Sequence, residues 1–269
     1  MKKFLFLIVV SLMVSCTSED CVLNVNKALE MKIENEYAKS KQSTVTHNEM
    51  LANTLNLLKC HPIKSDRNTI KDDQKIDECI SLFFDANQSS FTKLKTRSKV
   101  ENQITKNELR TILLENQYLF NNQNSNTRGV SDMEYPEYLV LFYNDFFKSD
   151  SLNIETLDLE IKSSITKVLE SYPNLTENEI KELAFVAGIT YNSCQYWSEN
   201  AEKWIEIIAD KPYLKTRSNW LWTGVKKWAK ADSSGAISGV IASKTLIGAL
   251  AGAAVGSMIG AWENLPIWD

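Results

Sequence analysis

Residues 176–209 read TENEIKELAFVAGITYNSCQYWSENAEKWIEIIA, and this stretch decides the fold class. It opens with Thr176 and Glu179 in the S/T-x-x-E pattern. There the hydroxyl can accept from the third residue's backbone N–H while the glutamate reaches back, satisfying donors that a helix start leaves open. A helical pattern then continues from Glu177 to about Ala209, and Pro212 stands just past its end. Trp197 and Trp204 are seven apart and share a face, whereas the adjacent Tyr196 and Trp197 are expected to diverge. Aromatic residues at this spacing, Tyr191 included, are expected to be packing anchors rather than a ligand-stacking face.

Working outward, the same cap pattern recurs at Thr46–Glu49, Thr105–Glu108 and Ser131–Glu134. Apolar residues at helical spacing follow: Met50, Leu51, Leu55 and Leu58; Ile76, Ile80, Phe83 and Phe84; Leu109, Ile112, Leu113 and Phe120; Ile161, Ile165, Val168 and Leu169. No sustained alternating run with turn signals interrupts them, so the chain predicts an all-α bundle of six to eight helices. The polar run NNQNSNTRGVS at 121–131 predicts a linker between helical regions at 22–120 and 132–210. The aromatic cluster Tyr135, Tyr138, Phe142, Tyr143, Phe146 and Phe147 is expected in the core.

Residues 211–269 differ in kind. Six of the nine glycines fall at 235, 239, 248, 252, 256 and 260, and five of the seven tryptophans at 220, 222, 228, 262 and 268. Gly248, Gly252, Gly256 and Gly260 make three consecutive G-x-x-x-G steps, a stripe on which another backbone can approach closely. Each glycine costs a helix about 1 kcal/mol relative to alanine, so this zipper helix or hairpin needs a packing partner. Three partners fit: the chain's own helices, a second copy in a homo-oligomer through Gly248 to Gly260, or a target bilayer. The last option would use Trp220, Trp222, Trp228 and Trp262 as interfacial contacts flanking the uncharged run 246–262.

The first residues carry an address. Lys2 and Lys3, the apolar run Phe4 to Val10, then Leu12 to Ser15 and Cys16 form a basic segment, an apolar core and a small residue before a cysteine. This resembles the lipobox signal peptide of bacterial lipoproteins, with Met13 where that family usually has leucine. The resemblance implies that residues 1–16 are a leader cut before Cys16, that Cys16 carries lipid, and that 17–21 form a tether. Glu19 and Asp20 resemble the acidic stretch that sends some Bacteroidetes lipoproteins to the cell surface. The resemblance thus implies an envelope protein on the outer membrane, surface exposure included. It also puts Lys211, Lys215, Arg217, Lys226, Lys227 and Lys230 outside the cytoplasm, the wrong side for an ordinary inner-membrane span at 246–262.

Loss of Lys2 and Lys3 with the leader leaves 28 of 30 basic residues against 34 acidic ones, so the formal charge moves from −4 to about −6. An acidic chain is a poor match for phosphate backbones, which excludes nucleic acid as an expected partner. Cys21, Cys60, Cys79 and Cys194 fit disulfides or buried thiols better than metal or redox chemistry, because none lies at a CxxC-like spacing.

The chain has two histidines, His47 and His61. His61 follows Cys60 at a helix end, where neighbouring side chains point apart, and a Cys194 nucleophile served by His47 has no local pattern behind it. The acids Asp72 with Asp73, and Glu177 with Glu179, suit helix starts. HExxH, GxSxG, a phosphate-cradling glycine loop and a zinc pattern are absent from the sequence. The sequence therefore predicts a non-enzyme with no cofactor or metal, acting by interaction or assembly through a protein partner it does not identify. A toxin-like membrane-active protein is the alternative, and an unrecognised hydrolase the third reading.

Overall fold

The computed structural model describes residues 18–60, 72–98, 105–111, 135–148, 153–209, 218–243 and 245–263. Among them the regular elements are α1 (Ser18–Ser43), α2 (Val45–Cys60), α3 (Asp72–Ser98), α4 (Glu137–Phe146), α5 (Leu157–Ser171), α6 (Glu177–Ala209), α7 (Ser218–Ser243) and α8 (Leu246–Glu263). A further helical stretch covers 106–111, and the described residues contain no strand. The all-α bundle expected from caps and periodicity is the observed architecture.

Two of the four expected capping boxes form as read. The Glu179 N–H donates to Thr176 Oγ1 at 3.3 Å and the Thr176 N–H to Glu179 Oε2 at 2.7 Å. Thr105 and Glu108 exchange the same pair at 3.1 and 2.7 Å. The expected cap at Thr46 falls inside α2. The turn is set earlier, where the His47 N–H donates to the Thr44 carbonyl at 3.0 Å and Thr44 Oγ1 donates to the Ser40 carbonyl at 2.7 Å. Thr44 is buried, and its hydroxyl is spent on the Ser40 carbonyl. The Ser131 cap lies outside the described residues, as do His61 and the linker 121–131. Helix α1 begins at Ser18, within the segment expected as a tether.

Helix α6, 33 residues and about 50 Å long, is the spine of the bundle. Its first half packs Leu183, Val186 and Ile189 into a core with Ile33 and Tyr37 of α1, Leu139 and Phe142 of α4, and Ile161 and Val168 of α5. Its second half packs Trp197, Trp204 and Ile205 into a core with Met50 and Leu51 of α2 and Ile80 and Phe83 of α3. The N-terminal helices thus build cores with the region expected to lie beyond the linker. At the α1–α6 crossing, a Cβ on Gly188 would stand 2.9 Å from the Ser40 backbone, an approach only glycine permits.

Helices α7 and α8 form a hairpin that enters both cores. Residues 231–240 of α7 are buried on every face, and 248–258 of α8 likewise. A helix buried all round needs small residues wherever another backbone passes. A Cβ at Gly235 would strike the Gly252 carbonyl, and one at Gly239 the Gly248 carbonyl. The glycine stripe is thus filled by the preceding helix of its own chain. At the turn, Thr245 Oγ1 accepts from the Gly248 N–H at 3.1 Å and caps α8.

Candidate functional site

The densest group of chemically versatile side chains lies where the two cores meet along α6. Asp232 of α7, His47 of α2, Ser193 and Trp197 of α6 and Ser257 of α8 converge there, each fully buried. Ser193 Oγ donates to Asp232 Oδ2, and Trp197 Nε1 donates to the same oxygen at 2.9 Å. The indole N–H also reaches Ser257 Oγ at 3.1 Å. His47 Nε2 stands 3.4 Å from Asp232 Oδ2 without a hydrogen bond of its own, and Asp232 Oδ1 likewise has none.

The tautomer of His47 follows from its neighbours. Asn48 Nδ2 donates to the Asn192 carbonyl at 3.1 Å, which turns Asn48 Oδ1 toward His47 Nδ1, 3.0 Å away. An amide oxygen only accepts, so the imidazole proton sits on Nδ1 and the Nε2 lone pair faces Asp232. Burial drives both groups toward their neutral forms. It lowers His47 to about 4, against the opposing effect of the Asn48 hydrogen bond. It raises Asp232 well above the usual carboxylate range, although Ser193 and Trp197 pull the other way. One proton held on Asp232, opposite the bare Nε2, satisfies both tendencies.

This arrangement is unlike a nucleophile–base relay. A relay needs serine on histidine and histidine on aspartate in series, whereas here Ser193 and His47 both address the carboxylate. Cys194, next along α6, packs in the first core; burial raises its thiol and the nearby Asp232 charge adds to the effect, the reverse of an activated nucleophile. Cys79 is buried in the other core and Cys60 is exposed.

The remaining sequence candidates are placed as follows. Gly248, Gly252, Gly256 and Gly260 are buried. Trp228 is fully buried against Trp197, ring centroids 4.8 Å apart, and is part of the core rather than an interfacial anchor. The side chains of Trp220, Trp222 and Trp262, and all of Cys16, lie outside the described residues. Tyr196 and Trp197, expected to diverge, meet edge to face at 5.5 Å. Among the described residues no three His, Cys, Asp or Glu side chains are grouped to hold a metal ion, and no helix is long and apolar enough to cross a membrane.

Sequence reading missed Asp232 and Ser193. The signal was present: Asp232 is the only acid between Pro212 and Glu263, set in a run of small residues. An isolated acid in such a run must find buried partners or neutralise. No family model matches the chain, and neither a curated protein nor a solved structure does.

Proposed function

We propose that this is a lipid-anchored protein of the cell envelope, held through Cys16, that acts by contact with other molecules rather than by catalysis. The observation that carries this reading is burial. The glycine-rich segment is spent on the chain's own hairpin, and the serine, histidine and aspartate that could do chemistry are sealed between two cores. What remains for work is the helical exterior. Metabolic labelling with a fatty acid tests the anchor: label is expected in the wild type and lost in Cys16→Ala, and undiminished label in the variant overturns it.

A second reading has its own support. From Ser233 to Trp262 the only charged residue is Lys244, so this part of the hairpin is nearly charge-free should it leave its seat for a bilayer, with Lys226, Lys227, Lys230 and Asp232 lying before it. Dye release from liposomes by the whole mature protein, reduced in a Gly252→Leu, Gly256→Leu variant, is the expected sign. No release by either protein removes this reading.

A further inference from the structure

We propose that Asp232 and His47 form a one-proton lock that holds the α7–α8 hairpin in its seat, so that loss of this proton releases the hairpin from the bundle. The inference stands apart from the anchor and from any partner.

The geometry divides the hairpin's contacts into two kinds. Between its arms the backbones meet at Gly235 with Gly252 and Gly239 with Gly248, so the arms travel together. Between the hairpin and its seat the polar ties include Asp232 to Ser193 and Trp197, Ser257 Oγ with the Trp197 N–H at 3.1 Å, Ser233 Oγ with Thr190 Oγ1 at 2.8 Å, and Ser238 Oγ with Tyr135 OH at 3.5 Å. Among these ties Asp232 is the only carboxyl. It is also the one that touches α2, α6 and, through the Trp197 indole, α8. His47 Nδ1–H is committed to Asn48, so no donor on the imidazole answers the carboxylate unless the pair holds a proton between them. Without it, Nε2 remains a buried acceptor with nothing to accept, and a carboxylate charge is met only by the Ser193 and Trp197 donors.

The other titratable groups near Asp232 are Cys194 and Tyr196 of α6, both raised chiefly by burial, and they stay neutral over the relevant range. From α8 the facing group is Ser257, which does not titrate.

Consider the seated and released states. In water the released pair has ordinary values, near 6.5 for His47 and 3.8 for Asp232. Above 6.5 the released pair is empty, whereas burial favours keeping the proton on the seated pair. Wherever the seated pair still holds its proton and the released pair does not, release becomes about tenfold more favourable per pH unit. Asp232→Asn removes this dependence, because the amide does not ionise. In that variant only His47 titrates, and release grows about tenfold per unit as pH falls from 6.5 toward 4.

The test is amide hydrogen exchange on the whole mature protein, corrected for intrinsic rates, comparing α7–α8 with α4–α5 from pH 5 to 9. Wild-type α7–α8 is expected to lose protection above pH 6.5 ahead of α4–α5, and Asp232→Asn to lose it on the acid side instead. Parallel profiles for the two regions, or an unchanged alkaline loss in the variant, overturn the lock. Should Asp232→Asn fail to fold, the wild type still decides by infrared spectroscopy. A protonated carboxylic acid band that persists at pH 7 and vanishes as the hairpin loses protection supports the lock, and its absence at pH 7 overturns it.

Discussion

Residue by residue, buried donors weigh more than exposed charges. Asp232→Ala takes the acceptor from the Ser193 hydroxyl, leaves the Trp197 indole with Ser257 alone and opens a void. The expected loss is about 2–4 kcal/mol in urea unfolding at pH 7. Asp232→Asn keeps both acceptor bonds and is expected within about 1 kcal/mol of wild type at pH 7. It should overtake the wild type at pH 9, since a raised carboxyl contributes stability that disappears as pH climbs through its folded value. Glycines divide by what a methyl would meet. Gly235→Ala drives a Cβ into the Gly252 carbonyl and should cost about 1–3 kcal/mol, read as a lower urea midpoint, despite the gain in helix propensity. At Gly224 the nearest atoms are the Trp228 ring at 3.4 Å, an ordinary contact. Gly224→Ala should therefore be neutral or stabilising by up to about 1 kcal/mol.

At the level of elements, helices announced themselves wherever local chemistry made them. Thr176 with Glu179 and Thr105 with Glu108 cap as their spacing demands, and Thr176→Ala should cost about 1 kcal/mol by losing that bond. The buried faces of α2, α4 and α5 match the apolar periods in their sequences. Less legible were features that depend on what lies opposite. The turn before α2 is set at Thr44, whose hydroxyl donates to the Ser40 carbonyl, rather than at Thr46, and Gly188 is forced by a serine 148 positions earlier in the chain. The partners of Asp232 come from two other helices, α2 and α6, a convergence that no local window contains. The glycine stripe could be read as a demand for close approach; that α7 meets it became visible only with both arms in view.

For the molecule as a whole, the hairpin and α6 each contribute residues to both cores. A chain ending after Ser243 would lack Leu250 and Ala253 in one core and Val255 and Met258 in the other. It should lose cooperative unfolding and bind a hydrophobic dye in the native buffer, as bundles without fixed packing do. A truncated protein that keeps a single sharp urea transition would show that α8 is dispensable to the bundle.

That central position has a consequence in time. α7 and α8 are neighbours in sequence and can pair within a short loop, but the helices they fill were made long before them. During synthesis, α1 to α6 therefore precede the hairpin that fills the space between their apolar faces. The interval before the hairpin arrives is when this chain is most exposed to aggregation and proteolysis, and holding chaperones would act on it then.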